Sequence, residues 1–223
     1  MRINTTKRLL KEGKPAIGTW LNFPCVNSAE AMAHAGWDWV TVDMEHGPID
    51  YEMLNNMFMA IGTTNVMPMC RIPDNDPVYI KRILDAGAMG IVVPMVNSAE
   101  EAEKAVRYAK YAPEGIRSAG GGRWRFWAAD GNAQDYMNHA NDEIAVIVQI
   151  EHIDAVNRAE EILSVPGVDA CFIGPNDLAW SMGLGKGLGE KDPSHAEALA
   201  EVLRVCKKVG TPAGIHCRSV EEV

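Results

Sequence analysis

The chain has 223 residues, of which 47% are hydrophobic, and this is enough to bury one full core as a single domain. Its net charge is −9 and its basic residues are mostly scattered, which argues against nucleic acid or anionic membranes as partners. No apolar stretch approaches the length of a membrane span, and no apolar run typical of a signal peptide follows the basic N-terminal residues. The five cysteines are widely spaced and include no C-x-x-C pair, so we expect reduced thiols in a cytoplasmic protein.

Short β-rich runs alternate with helical patterns along the chain. Most of these runs are continuously apolar rather than alternating, which is typical of parallel strands covered on both faces. The predicted strands are 16–22, 39–43, 66–71, 90–95, 144–151, 170–173 and 212–217. Side-chain caps predict where three helices begin. The first helix spans 51–61 and follows Asp50, and the second spans 78–85 and follows Asp76-Pro77. The third begins with a capping box of Ser98 and Glu101 and runs to about residue 111.

Repeated βα units in one domain predict a parallel barrel or a doubly wound sheet. No G-x-G-x-x-G follows the first strand, which disfavours dinucleotide binding. Polar and charged residues collect where the predicted strands end, and in a barrel the active site lies at that end. These residues are Asp43, Glu45 and His46 after the second strand, Arg71 at the third, Gln149 and Glu151 at the fifth, and Gly174, Pro175, Asn176 and Asp177 after the sixth.

Glu151 and Asp177 stand at the ends of two strands joined by a helical crossover. Neighbouring parallel strands lie roughly 4.8 Å apart, so two such carboxylates can reach one divalent cation. Oxygen ligands suit Mg²⁺, Mn²⁺ or a similar ion. The alternative is that Glu151 pairs with an arginine and that Asp177 caps a helix beginning at Leu178.

Arg71 and His46 are the other candidates for chemistry. A guanidinium at a strand end suits a carboxylate or an enolate oxygen, but Arg71 could equally form a structural ion pair with Asp43 or Glu45. His46 could act as a general base, with Asp43 or Asp85 to orient it, although a lone histidine is more often structural.

The segment 115–135 is long, irregular and rich in glycine, arginine and tryptophan. Loops of this length inside a compact domain are usually functional. Trp124, Phe126 and Trp127 could form a lid or a subunit contact, or they could simply pack into the core. The remaining histidines fall at positions without evident partners, so we interpret them as structural. They are His34, His139, His152, His195 and His216.

A series of motifs in chain order resembles the HpcH/HpaI aldolases, the metal-dependent class II pyruvate aldolases. The motifs are Asp43-x-Glu45-His46-Gly47, Arg71, Asn75-Asp76-Pro77, Leu84-Asp85-x-Gly87-Ala88, Val93-Pro94-Met95-Val96, Arg107-Tyr108, Gly115-Ile116-Arg117, Val148-Gln149-Ile150-Glu151, Gly167-Val168-Asp169, Ile173-Gly174-Pro175-x-Asp177-Leu178 and Met182-Gly183. The resemblance implies a (β/α)8 TIM barrel, cytoplasmic and assembled as a homo-oligomer, a trimer or hexamer. By the family pattern the eighth strand and helix are missing from this chain, and Asn176 replaces the small residue of many relatives.

The resemblance also implies a site and an activity. The implied metal ligands are Glu151 and Asp177, with Mg²⁺, Mn²⁺ or Co²⁺ as the cation. The implied catalytic residues are His46, Arg71, Asp43 and Asp85, and the implied substrate contacts are Arg71, Gln149, Gly174, Pro175 and Asn176. We therefore expect a carbon–carbon lyase that cleaves a 4-hydroxy-2-oxo acid to pyruvate and an aldehyde. Two alternatives stay open: a lyase resembling citrate lyase or malyl-CoA lyase, and a non-catalytic barrel that binds a keto acid.

Overall fold

The computed structural model describes residues 1–185 and 192–217. In this part of the chain, parallel strands alternate with helices. The strands are β1 (Gly18–Leu21), β2 (Trp39–Asp43), β3 (Met67–Arg71), β4 (Gly90–Val93), β5 (Ala145–Ile150), β6 (Ala170–Ile173) and β7 (Ala213–Ile215). The α-helices are α1 (Thr5–Lys11), α2 (Val26–Ala33), α3 (Tyr51–Ile61), α4 (Pro77–Asp85), α5 (Ala99–Ala109), α6 (Ala133–Glu143), α7 (Ile153–Asn157), α8 (Ala159–Leu163), α9 (Pro175–Ser181) and α10 (Pro193–Val209). Two short 3-10 helices, Arg123–Trp127 and Ala129–Gly131, precede α6.

The chain divides into two compact units. The first comprises Met1–Val93 and Lys104–Val146, and in it β1 to β4 pair in chain order. There the start of β5 joins the start of β4, because the Ala145 N–H donates to the Met89 carbonyl at 3.0 Å. The second unit comprises Pro94–Glu103 and the residues from Ile147 onward, and in it β5, β6 and β7 pair in parallel. Organisation as a single domain stays a prediction.

The strands have the burial that the apolar runs predict. All residues of β3, β4, β5 and β6 are buried, whereas those of β7 are partly or well exposed. A strand buried throughout needs cover on both faces, which parallel βα units supply. The predicted fold class is confirmed as an α/β fold of the (β/α) barrel type, with seven βα strands in the described residues. None of the described helices is both long and apolar enough to cross a membrane.

The helix starts follow the predicted caps. Asp50 and Asp76 each accept a backbone N–H from the first turn of their helix. At α5 the Ser98 hydroxyl accepts the Glu101 N–H at 3.2 Å, as a capping box requires. The Glu101 carboxylate returns to the Asn97 N–H at 2.6 Å rather than to that of Ser98. The box is therefore shifted by one residue but still satisfies two backbone donors.

Core packing explains two of the three aromatic residues in segment 115–135. Trp124 is fully buried, and its ring stacks on Tyr136 with 4.4 Å between the centroids. Trp127 is buried too, and its Nε1–H donates to the Gly87 carbonyl at 2.9 Å. Phe126 is 78% exposed. A lid or subunit contact formed by all three aromatics is therefore wrong.

Three histidines have partners that the sequence did not predict. His195 is buried on α10, and its Nε2–H donates to the Pro175 carbonyl at 2.8 Å. His152 caps α7, where its Nδ1 accepts the Asp154 N–H at 3.1 Å. His139 Nδ1 lies 2.8 Å from a backbone carbonyl one turn earlier in α6. The expectation that these histidines lack partners is wrong, although their contacts are of a structural kind.

Candidate active site

In the first unit, the register of β2 and β3 places Asp43 beside Arg71 at the carboxyl ends of both strands. Arg71 donates from Nε to Asp43 Oδ1 at 2.9 Å and from Nη2 to Oδ2 at 2.5 Å. Asn22 donates to the same Oδ2 at 2.8 Å. The guanidinium also lies 4.8 Å from the centre of the Trp20 ring. Asp43 is 0% exposed, so this is a fully buried, bidentate ion pair.

The turn after β2 is tied to the same pair. Asp43 Oδ1 accepts the backbone N–H groups of Glu45 and His46 at 3.1 and 3.3 Å. Glu45 Oε2 lies 3.0 Å from Arg71 Nη1 and 3.8 Å from His46 Nε2. Asp43 therefore orients the backbone of His46 rather than its ring. The His46 side chain is 61% exposed, which leaves the imidazole open to a substrate.

The surroundings of Asp43 decide the protonation state of its carboxyl group. Burial by itself would raise the pKa of this carboxyl, but the hydrogen bonds and the positive charge of Arg71 outweigh it and the pKa is lowered. Asp43 is thus an anion at neutral pH and Arg71 its cation. The ion-pair interpretation of Arg71 holds with both Asp43 and Glu45. A contact between Arg71 and substrate stays a prediction.

Asp85 is the last residue of α4, and its Oδ1 accepts a hydrogen bond from Arg117 Nη2 at 2.9 Å. This ion pair is the contact that the structure gives its carboxylate. The expectation that Asp85 orients His46 finds no support in these contacts and stays a prediction.

In the second unit, Glu151 follows β5 directly and is 2% exposed. Its Oε1 accepts the Met95 N–H at 2.8 Å, and its Oε2 accepts from Gln149 Nε2 at 2.5 Å. A methyl group at Gly174 would lie 2.5 Å from Glu151 Oε2 and 2.9 Å from Gln149 Nε2, far inside contact distance. The backbone at Gly174 therefore closes on this carboxylate, and only glycine leaves it room.

Asp177 follows Gly174 by three residues, in the first turn of α9. The helix begins at Pro175, with Gly174 at the cap position, so Asp177 is not the N-cap of a helix starting at Leu178. Asn176 and Asp177 are exposed, whereas Pro175 is half-buried. An acidic residue in the first turn is favoured by the helix dipole and stays available to a ligand.

The oxygen atoms that the second unit offers as ligands suit a hard divalent cation. Glu151 and Asp177 offer carboxylate oxygens, and the buried Gln149 Oε1 has no hydrogen-bond partner among the described residues. In residues 1–185 and 192–217 no cluster of three or more His, Cys, Asp or Glu side chains could hold a metal. Mg²⁺ is often bound by only one or two carboxylates, with water and substrate completing its coordination.

Sequence reasoning missed several residues of these clusters. Trp20 and Asn22 were overlooked because an ion pair's neighbours depend on strand register, which one sequence does not show. Met95 and Arg117 were noticed only inside motifs. For Arg117 the usable signal was an arginine in an apolar, glycine-rich segment, where a charge needs a partner.

Comparisons with known proteins agree with the geometry. The model of the HpcH/HpaI aldolase/citrate lyase family matches residues 16–216. The chain is 40% identical over 220 residues to a 4-hydroxy-2-oxo-heptane-1,7-dioate aldolase of Klebsiella pneumoniae, covering 95% of this chain and 79% of that protein. It is 39% identical over 214 residues to a 2-dehydro-3,6-dideoxy-6-sulfogluconate aldolase of Pseudomonas putida, covering 93% and 80%.

A solved structure extends the likeness to the whole described fold. A family protein of Burkholderia cenocepacia superposes with a TM-score of 0.91 at 35% identity, covering 98% of this chain and 86% of that one. The family is metal-dependent. The chain belongs to the HpcH/HpaI aldolase/citrate lyase family and is a carbon–carbon lyase of the aldolase type.

Proposed function

We propose that this aldolase cleaves a 4-hydroxy-2-oxo acid to pyruvate and an aldehyde with the help of a divalent cation. The names of the two similar aldolases describe different carbon chains that share a 2-oxo acid with a hydroxyl at C4. The observation that carries the proposal is the buried Glu151, held by two donors beside an unpaired amide oxygen. That arrangement suits a cation bound to a 2-oxo acid.

In the second unit, Glu151 and Asp177 would hold the cation. When bound, a divalent cation stabilises the negative charge that develops on the keto oxygen. Gln149 would lie beside the substrate through its unpaired Oε1, and the N–H groups at the start of α9 would bind the substrate carboxylate. Gly174 would keep this backbone close to Glu151.

In the first unit, Arg71 would contact the keto oxygen as a fixed positive charge, because Asp43 and Glu45 hold its guanidinium in place. His46 would take the proton of the C4 hydroxyl, since histidine exchanges protons near neutral pH. The C3–C4 bond then breaks, its electron pair passes to the enolate of pyruvate, and the aldehyde leaves. A proton delivered to C3 completes pyruvate.

The test is pyruvate release from 4-hydroxy-2-oxo acids of different chain length, measured with a lactate dehydrogenase couple. We expect turnover with Mg²⁺, Mn²⁺ or Co²⁺, loss on treatment with a chelator, and recovery on adding the metal back. Glu151→Gln should lose at least a hundredfold in turnover, while Glu160→Gln, at the exposed pair with Lys208, should behave as wild type. Turnover that persists without metal, or an active Glu151→Gln variant, would sink the mechanism.

Two finer points belong to the same proposal. The order of activity among the three metals would identify the preferred ion. Release of an acetyl thioester from a citryl or malyl thioester, measured directly by chromatography, would show that the chain works as a thioester lyase instead. We also propose a homo-oligomer, which light scattering on the purified protein would show.

A further inference from the structure

His195 is a buried histidine that the proposed mechanism does not use. It lies in the first turn of α10 and is 4% exposed. Its Nε2 lies 2.8 Å from the Pro175 carbonyl oxygen. Because a carbonyl oxygen can only accept a hydrogen bond, Nε2 carries a proton and donates it. The imidazole therefore joins α10 to α9 through one directed hydrogen bond.

The backbone of α9 does not need this bond. Pro175 is the first residue of the helix, and a carbonyl at that position accepts the N–H group four residues on. An apolar side chain of similar size at position 195 would fill the same space without a polar group that has to find a partner. The histidine therefore adds a directed contact at a position that packing alone could fill.

The contact is structural in kind, but the turn that it reaches carries a candidate metal ligand. Gly174, just before Pro175, donates its N–H to the Ile150 carbonyl at 3.0 Å. The start of α9 is thus held both by the end of β5 and by His195 on α10. Asp177 is exposed in this turn, and no hydrogen bond to another described residue fixes its carboxylate. The direction of that carboxylate is therefore set by the backbone of the turn.

The helix that carries His195 is itself firmly anchored. The Asp192 carboxylate accepts both the N–H and the hydroxyl of Ser194, at 2.9 and 2.6 Å. Further along the helix, Ala198, Val202 and Val205 are buried. With 17 residues, α10 is also the longest helix in the part of the chain that the structure describes. It therefore gives the imidazole a fixed base from which to hold α9.

We infer that His195 is a positioning residue. Through the Pro175 carbonyl it fixes the orientation of the first turn of α9, and with it the Asp177 carboxylate and the N–H groups at the helix start. This inference rests on the proposed function, in which Asp177 holds the cation and those N–H groups bind the substrate carboxylate. It adds to the site a residue that lies on a helix rather than at a strand end.

His195→Gln and His195→Asn form a matched pair of amide variants. The glutamine amide can bring an N–H close to the position of imidazole Nε2, whereas the asparagine amide is one methylene shorter and stops short of the Pro175 carbonyl. Calorimetric titration with Mn²⁺ in the absence of substrate compares them. His195→Asn should weaken Mn²⁺ binding about tenfold or more, which is typical of contacts that orient a metal ligand, and His195→Gln should stay within about threefold of wild type.

Thr211→Val is the control for stability. The Thr211 hydroxyl donates to the Leu163 carbonyl at 2.9 Å, so this variant also removes a side-chain donor from a backbone carbonyl of the second unit. It should lower the melting temperature but leave the affinity for Mn²⁺ unchanged. His195→Leu buries no unpaired polar group and should weaken Mn²⁺ binding as His195→Asn does, so it replaces that variant if the asparagine prevents folding.

Steady-state kinetics at saturating Mn²⁺ separate positioning from a loss of structure. His195→Asn should raise KM for the 4-hydroxy-2-oxo acid by a larger factor than it lowers kcat, because the N–H groups that bind the substrate carboxylate turn together with Asp177. A purely structural loss would reduce the amount of active protein and so lower kcat, while KM and the affinity for Mn²⁺ would not change.

A folded His195→Asn or His195→Leu variant with wild-type KM and wild-type affinity for Mn²⁺ would overturn the inference, as would equal weakening by His195→Gln and His195→Asn. Pyruvate release by the wild type would leave the proposed function intact in both cases. If the wild type neither binds Mn²⁺ nor releases pyruvate, the proposed function fails and this inference fails with it.

Discussion

At the scale of single residues, some charged side chains are buried in ion pairs and other polar side chains are exposed. Asp43 and Arg71 form a bidentate ion pair, which holds their charges at the ends of β2 and β3. His46 and Asp177 are exposed instead. A buried, oriented cation and an exposed imidazole suit different tasks, because orienting a substrate and transferring a proton make different demands.

The pH dependence of stability follows from Asp43. Folding lowers its pKa, so the pair contributes stability above the ordinary aspartate pKa of about 3.9 and loses it as the pH falls through the lower folded value. We expect Asp43→Asn to cost about 3 kcal/mol at pH 7, because the buried Arg71 loses its bidentate carboxylate and keeps only Glu45. The variant should also lose less stability than wild type between pH 5 and the acid limit.

Urea unfolding at several pH values measures both effects. Glu201→Gln is the control, since it removes an exposed pair with Arg204 that should matter little. Parallel stability curves for wild type and Asp43→Asn would contradict the assignment.

Gly174 offers a second test at residue scale. A methyl group there would meet Glu151 Oε2 at 2.5 Å and Glu151 Cβ at 2.7 Å. We expect Gly174→Ala to cost about 1–3 kcal/mol and to weaken metal binding, because the carboxylate must move. Calorimetric titration with Mn²⁺ in the absence of substrate, beside urea unfolding, measures both quantities. Unchanged affinity would show that Glu151 does not hold the metal.

At the scale of elements, the ends of strands and the first turns of helices carry the site. β4 is followed by a turn in which Met95 adopts a left-handed conformation with φ of 51°. That turn directs the Met95 N–H to Glu151 Oε1. Non-glycine residues rarely adopt this conformation, and such strain tends to collect at functional sites.

Substitutions at Met95 should separate strain from packing, because this side chain is 45% exposed and buries little area. Met95→Val should destabilise the protein by about 1–2 kcal/mol, since a β-branched residue tolerates the left-handed region poorly. Met95→Asn should be at least as stable as wild type, because asparagine adopts this region readily. Thermal unfolding of the two variants compares them directly, and equal melting temperatures would argue against strain at this turn.

At the scale of the whole molecule, the solvent exposure of the five cysteines shows how well the apolar interior is shielded from solvent. Cys70, Cys171 and Cys206 are buried, Cys25 is half-buried and Cys217 is exposed, and none of these five described residues forms a disulfide. Hydrogen bonds from Ser28 lower the pKa of Cys25, which caps α2. Such a thiol has more thiolate at neutral pH and reacts faster.

We therefore expect a thiol reagent to modify two cysteines rapidly in the native protein and all five after unfolding in denaturant. Cys25→Ser should remove the faster of the two native phases. Rapid modification of three or more thiols in native protein would mean that the interior around β3 or β6 opens readily.

Much of the fold could be predicted from the sequence because local patterns and burial agree here. Continuous apolar runs marked the seven strands, and Asp50, Asp76 and Ser98 marked helix starts, since each cap satisfies backbone donors close by in the chain. The start of α9 was misjudged by three residues, because Pro175 at a helix start looks like the end of a strand. Segment 115–135 was misread because only packing shows which of its aromatics are buried.

The sequence by itself determined the α/β class, the family and the residues at the strand ends, because these depend on periodicity and ordered motifs. Only the tertiary structure decided the partners of those residues. Strand register joined Asp43 to Arg71, the left-handed turn at Met95 brought an N–H to Glu151, and packing brought Arg117 to Asp85. A partner far along the chain is fixed by packing and by the cost of leaving a buried charge unpaired, and neither is visible in the order of residues.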